Sequence, residues 1–349
     1  MFSTKKRVLK IIAITAFFLL FSGIAAGYLL YQRIYRPNLS ITETEPVFLY
    51  ISSGAAFEQV CDLLSENGLE NISSFRWVAE KMNYPSRIKA GRYRLIDGTS
   101  NIELVRMLRL GRQAPVKVTF NNIRTDDRLA GIVSSNIEAD SVSILALLRD
   151  SVYLHNFKLS TKTALSLFIP NTYEFLWNTS AQGFMERMNK EYARFWNEDR
   201  LAKARSVDMT PLQVSILASI IEEETQKDSE KSTMAGVYIN RLQCGMPLQA
   251  DPTIKYAAGD FAIRRVLNSH KLISSPYNTY MYTGLPPGPI CIPSIASIDA
   301  VLNYVKHDYF YFCAKDDLSG YHNFARTLQQ HNNNARAYQN ALNKLKIYK

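Results

Sequence analysis

Thr210–Thr225 reads TPLQVSILASIIEEET, and this stretch decides how the larger part of the chain folds. Thr210 suits an N-cap, Pro211 the first helical position and Gln213 the third residue of a capping box. The spacing then predicts a helix in which Leu212, Val214, Ile216, Leu217, Ile220 and Ile221 surround most of the circumference. A helix apolar nearly all round is buried. One narrow strip is small, formed by Pro211, Ser215 and Ala218, and Glu222 follows it one turn later. Successive residues turn by about 100°, so Glu222, Glu223 and Glu224 do not share one face. On this reading Glu222 lies over the small strip, where a substrate chain would come close to the backbone.

Two readings of the glutamates stand side by side. One is a solvated helix end. The other is a general acid, because burial at the end of an apolar helix disfavours the charged carboxylate and raises its pKa. A glycosidic leaving group is poor and needs such a proton.

On the N-terminal side, a compact unit is predicted. Val47–Ile51 is a short strand, Ala56–Asn67 a helix stopped by Gly68, and Ser74–Met82 a second helix with Ser73 or Ser74 as N-cap. Gly91–Ile96 alternates as a strand does, Thr99 or Ser100 opens a helix closed by Gly111, and Pro115–Phe120 is another strand. Strand, helix, helix, strand is the order of small LysM-like modules that bind wall polymers. A spacer role is the alternative.

Before it, Ile11–Tyr31 carries no charge and is long enough to span a bilayer. Lys5, Lys6, Arg7 and Lys10 precede this run, and Arg33 and Arg36 follow it. The heavier positive side is expected to stay cytoplasmic, which sends the remainder outward. The run ends in Tyr-Leu-Leu-Tyr-Gln-Arg rather than a small-x-small site, so an uncleaved anchor is favoured over a signal peptide.

The 349 residues are 47% hydrophobic and 21% charged, which excludes a disordered chain. The +10 charge is spread without a dense basic run, and no nucleic-acid module is recognisable. Cys61, Cys244, Cys291 and Cys313 lack zinc-ligand spacing and read as small hydrophobes. No metal or cofactor is expected.

Further motifs follow the helix: AGVYINRL at Ala235–Leu242, GMPLQADPT at Gly245–Thr253, SPYNTY at Ser275–Tyr280, GLPPGPI at Gly284–Ile290 and a G-x-H-x-F pattern at Gly320–Phe324. With these motifs in this order, the chain resembles the MltG (YceG-like) endolytic murein transglycosylases, which are lyases of peptidoglycan strands. The resemblance covers essentially the whole chain and implies an α+β protein. Its parts would be a cytoplasmic N-terminus at 1–10, a transmembrane helix at 11–31, a linker at 32–46, a LysM-like subdomain at 47–120, a connecting region at 121–160 and a mixed α/β catalytic domain at 161–349.

The resemblance further implies Glu222, first of the glutamate run, as catalytic acid/base. Asn240, Gln249, Asp251 and Thr253 would border the cleft, and Tyr277, Asn278, Thr279 and Tyr280 would contact the sugar. Asn and Asp also stabilise turns, and Tyr also fills cores, so structural roles stay open for these residues. His322 and His331 read as structural. The implied partners are peptidoglycan glycan strands, the inner membrane and peptidoglycan synthases. A hydrolytic muramidase using Asp251 as second carboxylate and a non-catalytic membrane-anchored glycan binder are the alternatives. Three departures from the family pattern occur: no acidic residue precedes Phe168–Tyr173, Asn171 stands for the usual Asp, and Ile292-Pro293-Ser294 stands for Asn-Pro-Gly.

Overall fold

The structure is a computed structural model that describes residues 2–345, with side chains described for Arg7 and from Leu9 onward. It divides into two compact units, Met1–Val116 with Glu174–Asn178, and Lys117–Tyr173 with Thr179–Lys349.

The first unit opens with α1 (Phe2–Tyr35). Leu9–Tyr35 is long and apolar enough to cross a membrane, and its large side chains, among them Phe17, Leu19 and Leu29, are exposed. Its 27 residues reach about 40 Å, more than a bilayer core requires. Then follow β1 (Phe48–Ile51), α2 (Phe57–Glu66), α3 (Ile72–Lys81), β2 (Gly91–Arg94) and α4 (Asn101–Leu110), in the expected order. The strands pair antiparallel, with Phe48 opposite Arg94 and Ile51 opposite Gly91. Glu103 accepts a hydrogen bond from the Ser100 backbone N–H, and Gly111 closes α4 in the left-handed region at φ 72°.

The stretch expected to be a linker is packed. Leu39 is buried in the core of this unit, Pro37 bridges to Ser100, and Leu39 bridges to Leu69. Asn101 donates to the Arg33 carbonyl at 2.9 Å, tying the end of α1 to α4. Apolar Leu39 supplies the reason: an extended segment carrying a large aliphatic side chain gains more by burial than by tethering freely.

The second unit contains β3 (Val116–Phe120), α5 (Asp126–Ser134), α6 (Ser141–Arg149), α7 (Ser151–His155), β4 (Asn171–Phe175), α8 (Ala181–Phe195), α9 (Glu198–Ser206) and α10 (Pro211–Glu224). After it come α11 (Asp228–Gln243), α12 (Asp251–Ala258), α13 (Ile295–Leu302), β5 (Tyr311–Ala314), β6 (His322–Ala325) and α14 (Leu328–Lys344). β5 and β6 form an antiparallel hairpin, with Tyr311 opposite Ala325.

Helix α10 is the centre of this unit. Thr210 and Gln213 make the expected capping box, and Val214 through Ile221 are all buried. α10 packs against α11, α12 and α13. Truncating Leu217 or Ile220 to alanine would cost about 2–5 kcal/mol. The small strip is not a substrate path, contrary to expectation. Ser215 and Ala218 are enclosed by protein, because a helix apolar on its other faces is surrounded on this one too. The close approach falls instead at Ser219, whose Oγ donates to the Ile216 carbonyl and accepts from the Ile290 N–H at 3.0 Å. That bond docks the GLPPGPI segment on α10. Gly288 in the same segment has no room for a side chain, since a Cβ would overlap the Lys162 carbonyl.

Candidate active site

The three glutamates at the end of α10 have three different environments. Glu222 enters a polar nest at the N-terminus of α13. Its Oε2 accepts from the Ser294 and Ser297 hydroxyls, both at 2.5 Å, and from Lys231 Nζ at 3.2 Å. The Ser294 N–H adds a longer bond at 3.3 Å. Lys231 is itself buried and also pairs with Asp228 at 2.8 Å. Burial pushes the Glu222 carboxyl up, but the two hydroxyls and the Lys231 ammonium outweigh it, and the pKa lies below the ordinary glutamate value.

Glu223 points elsewhere. Arg124, just after β3, grips it with two parallel hydrogen bonds, Nε to Oε1 at 3.1 Å and Nη2 to Oε2 at 2.5 Å. Such a fork holds the end of α10 in place.

Glu224 faces a cavity of about 320 Å³. Its Oε1 accepts from the Tyr238 hydroxyl at 2.6 Å. Burial raises the carboxyl most, Tyr238 lowers it, nearby Asp251 raises it further, and Lys255 and Arg241 pull it down; the net pKa is about 7. Tyr238 and Arg241 come from one face of α11, three residues apart. The cavity is further lined by Gln249 and Asp251 at the start of α12, by Tyr280, by Tyr311 and Phe312 of β5, and by Leu328 and His331 of α14. Tyr280 donates to Asp251 Oδ1 at 2.6 Å. Gln249 sits at φ 50°, a left-handed conformation that costs a non-glycine residue energy.

The residues singled out from sequence therefore separate. Gln249, Asp251 and Tyr280 meet at the cavity with Glu224, whereas Glu222 lies in its own nest. The other five are placed as framework. Asn240 donates to the His307 and Tyr309 carbonyls. Thr253 and Thr279 share a buried hydroxyl pair at 2.8 Å, and Thr279 also accepts from the Ala250 N–H, which fixes the turn that presents Gln249 and Asp251. Asn278 donates to the Lys271 and Ile273 carbonyls and orders its own loop. Tyr277 packs on Tyr256 with ring centroids 4.7 Å apart. His322 bonds Glu230 through its backbone N–H and its Nδ1, joining β6 to α11.

Tyr238, Arg241, Tyr311 and His331 line the cavity without having been singled out for it. Tyr238 and Arg241 were within reach, since the AGVYINRL helix places them on one face. Tyr311 carries no local signal, and His331, read as structural from the sequence, lies in the cavity lining. Arg241 is buried and spends its donors on the Phe310, Pro247 and Leu248 carbonyls.

Residues 49–337 match the YceG-like family, and the chain belongs to that family. An endolytic murein transglycosylase of Bacillus subtilis (strain 168) is 28% identical over 326 residues, spanning 88% of this chain and 89% of its own length. A protein of the same description from Streptococcus pneumoniae serotype 2 (strain D39) is 25% identical over 356 residues, spanning 91% of this chain and 63% of that protein. The crystal structure of a YceG-like protein from Listeria monocytogenes superposes with a TM-score of 0.56 at 26% identity, over 83% of this chain and 99% of that one.

Proposed function

We propose that this chain is an endolytic murein transglycosylase, a lyase that cuts the bond between N-acetylmuramic acid and N-acetylglucosamine inside glycan strands, and that Glu224 is its acid and base. The name carried by its relatives supports the reaction class. The observation that carries the residue assignment is the Glu224 carboxyl in the wall of a cavity, with a pKa of about 7. A group poised there is partly protonated at neutral pH and serves either step. Glu222, the residue chosen from sequence, accepts from two hydroxyls and an ammonium, which hold its pKa below the ordinary glutamate value and so favour its charged form.

In this mechanism Glu224 protonates the bridging oxygen, and positive charge builds at the anomeric carbon as the bond breaks. The ionised Glu224 then takes the proton of the muramic C6 hydroxyl, which closes on that carbon to give a 1,6-anhydro end. The nucleophile is already part of the substrate, so neither a bound water nor a second carboxylate is required. Tyr238 orients the Glu224 carboxyl through its hydrogen bond, and Asp251, fixed by Tyr280, keeps negative charge close enough to favour the protonated acid.

On the same reading α1 anchors the protein in the inner membrane with both units on the outer side, and the cut ends strand growth beside peptidoglycan synthases. The test is the mass of the products from purified strands. A terminus lighter by one water than a reducing end supports the lyase. A reducing end would mean hydrolysis, with Asp251 as the second carboxylate.

A further inference from the structure

At the C-terminal end of α1 a second cavity, of about 530 Å³, is lined by that helix and by the starts of α3 and α4. Leu29 forms its apolar part, and Gln32, Arg33, Arg36, Glu70 and Asn71 are among its polar groups. Buried amides fix the wall. Asn38 donates to the Asn71 carbonyl at 3.0 Å and to Asn101 Oδ1 at 2.7 Å, and accepts from the Asn71 N–H at 2.8 Å. Asn101 in turn holds the Arg33 carbonyl. The Arg33 guanidinium lies 5.0 Å from the centre of the Trp77 ring and gives one donor to the Ser73 carbonyl at 3.4 Å. Neither Arg33 nor Arg36 has a carboxylate partner among the described residues. The depth of the cavity follows from the sequence. Ile11–Tyr31 carries no charge and, at about 1.5 Å per residue, fills a hydrocarbon layer of about 30 Å. Gln32, Arg33 and Arg36 come next and fall in the headgroup layer. Tyr28, Tyr31 and Tyr35 are exposed around that level, where interfacial aromatic belts lie.

We propose that this cavity binds the headgroup phosphate of an anionic phospholipid. The inference rests on the reading of α1 as a membrane anchor and is independent of which glutamate is the acid. Two guanidiniums against one carboxylate leave the cavity cationic. A guanidinium presents a planar fork of donors that matches two phosphate oxygens. The first turn of α3, through Asn71 and Ser74, belongs to the same wall and turns the positive end of its dipole there. Leu29 lies inside the apolar run, so the cavity is apolar towards the bilayer core and cationic at headgroup depth. A phospholipid is amphipathic in the same order, whereas a soluble anion matches the guanidiniums alone.

The test uses the full chain reconstituted into phosphatidylcholine vesicles containing spin-labelled phosphatidylglycerol or spin-labelled phosphatidylcholine. Electron paramagnetic resonance then reads the fraction of label held by the protein. The unmutated chain should prefer phosphatidylglycerol by about five- to twentyfold, the range expected for two basic residues at the membrane surface. Arg33→Gln combined with Arg36→Gln should bring the preference close to one. Lys81 is the control: its ammonium lies 5.8 Å from the same Trp77 ring but outside the cavity lining. Lys81→Gln should leave the preference nearly unchanged, whereas Arg36→Gln alone should lower it about three- to fivefold. Equal falls in these two single variants would mean diffuse surface charge and would overturn the proposal. So would an unchanged preference in the double variant. Should the double variant not fold, the comparison of Arg36→Gln with Lys81→Gln decides, because the exposed Arg36 side chain makes no hydrogen bond among the described residues. Displacement of the labelled lipid by millimolar inorganic phosphate would overturn the choice of a lipid as occupant. Release of the chain from the vesicles by alkaline carbonate removes the membrane anchor and this inference together, while firm retention without lipid preference overturns this inference alone.

Discussion

Glu222 and Glu224 stand two residues apart on the last turn of α10, and the protein treats them in opposite ways. Glu222 enters a nest of two serine hydroxyls and a buried lysine, which keeps it charged. Glu224 enters a cavity with one tyrosine hydroxyl for company and another carboxylate nearby, which keeps it half protonated near neutrality. Two helical steps are about 200°, so the side chains leave on opposite sides. The same residue type therefore sits in a polar nest that favours its charge on one side and in a cavity that favours its proton on the other. What separates them is the number of donors and cations each meets, since burial acts on both in the same direction.

The sharpest way to break this comparison is to neutralise each in turn. Glu224→Gln keeps the shape and removes the transferable proton, so the release of anhydro ends, followed by mass spectrometry, should fall by about 10²–10⁴-fold. Glu222→Gln protein that is still folded should retain most of the unmutated rate. The reverse ranking would return the acid to Glu222 and undo the contrast.

Stability should rank the other way. Glu222→Gln strips Lys231 of a buried charged partner, leaving it the Asp228 carboxylate and the Ser294 hydroxyl, and should cost about 2–4 kcal/mol in urea denaturation. The Glu222 carboxyl has a lowered folded pKa. Its contribution is therefore present above the ordinary value of 4.5 and is lost as pH falls below it. An unchanged urea midpoint at pH 7 would mean that the nest is not holding the end of α10.

Glu224 has the opposite sign. Its folded pKa is raised, so the stability it contributes is complete below 4.5 and is lost as pH rises towards about 7. Replacing it by glutamine removes this dependence. Glu224→Gln should therefore melt higher than the unmutated protein at pH 8, by on the order of 1–2 kcal/mol, and the gap should close at pH 5. A constant gap across that range would show that the cavity does not raise the carboxyl.

The smallest effect belongs to the loop that presents the cavity's polar wall. Gln249 holds φ at 50° without being glycine. Gln249→Gly should relieve that strain and raise stability by up to about 1 kcal/mol, while lowering turnover through loss of the side chain. Such a split between stability and activity would sharpen the view that strain is kept at Gln249 for function. A loss of stability would remove it.

Local signals fixed a great deal. The capping residues and all-round apolarity of Thr210–Ile221 specified a buried helix, and alternation with turn residues specified β1, α2, α3, β2, α4 and β3 in order. An uncharged run of sufficient length specified the exposed apolar helix α1. All of these depend on periods and caps within about a dozen residues, which a sequence carries openly. The motifs around Gln249, Asp251 and Tyr280 also identified part of the cavity wall. Which glutamate faces that wall was a different kind of question. The helical period showed that the three point apart, but not what each would meet. Ser294, Ser297 and Lys231 on one side, and Tyr238, Tyr280, Tyr311 and His331 on the other, come from segments up to about a hundred residues away in the chain. Only tertiary packing brings them to α10, and the protonation of a carboxyl depends on those neighbours rather than on its position in the helix.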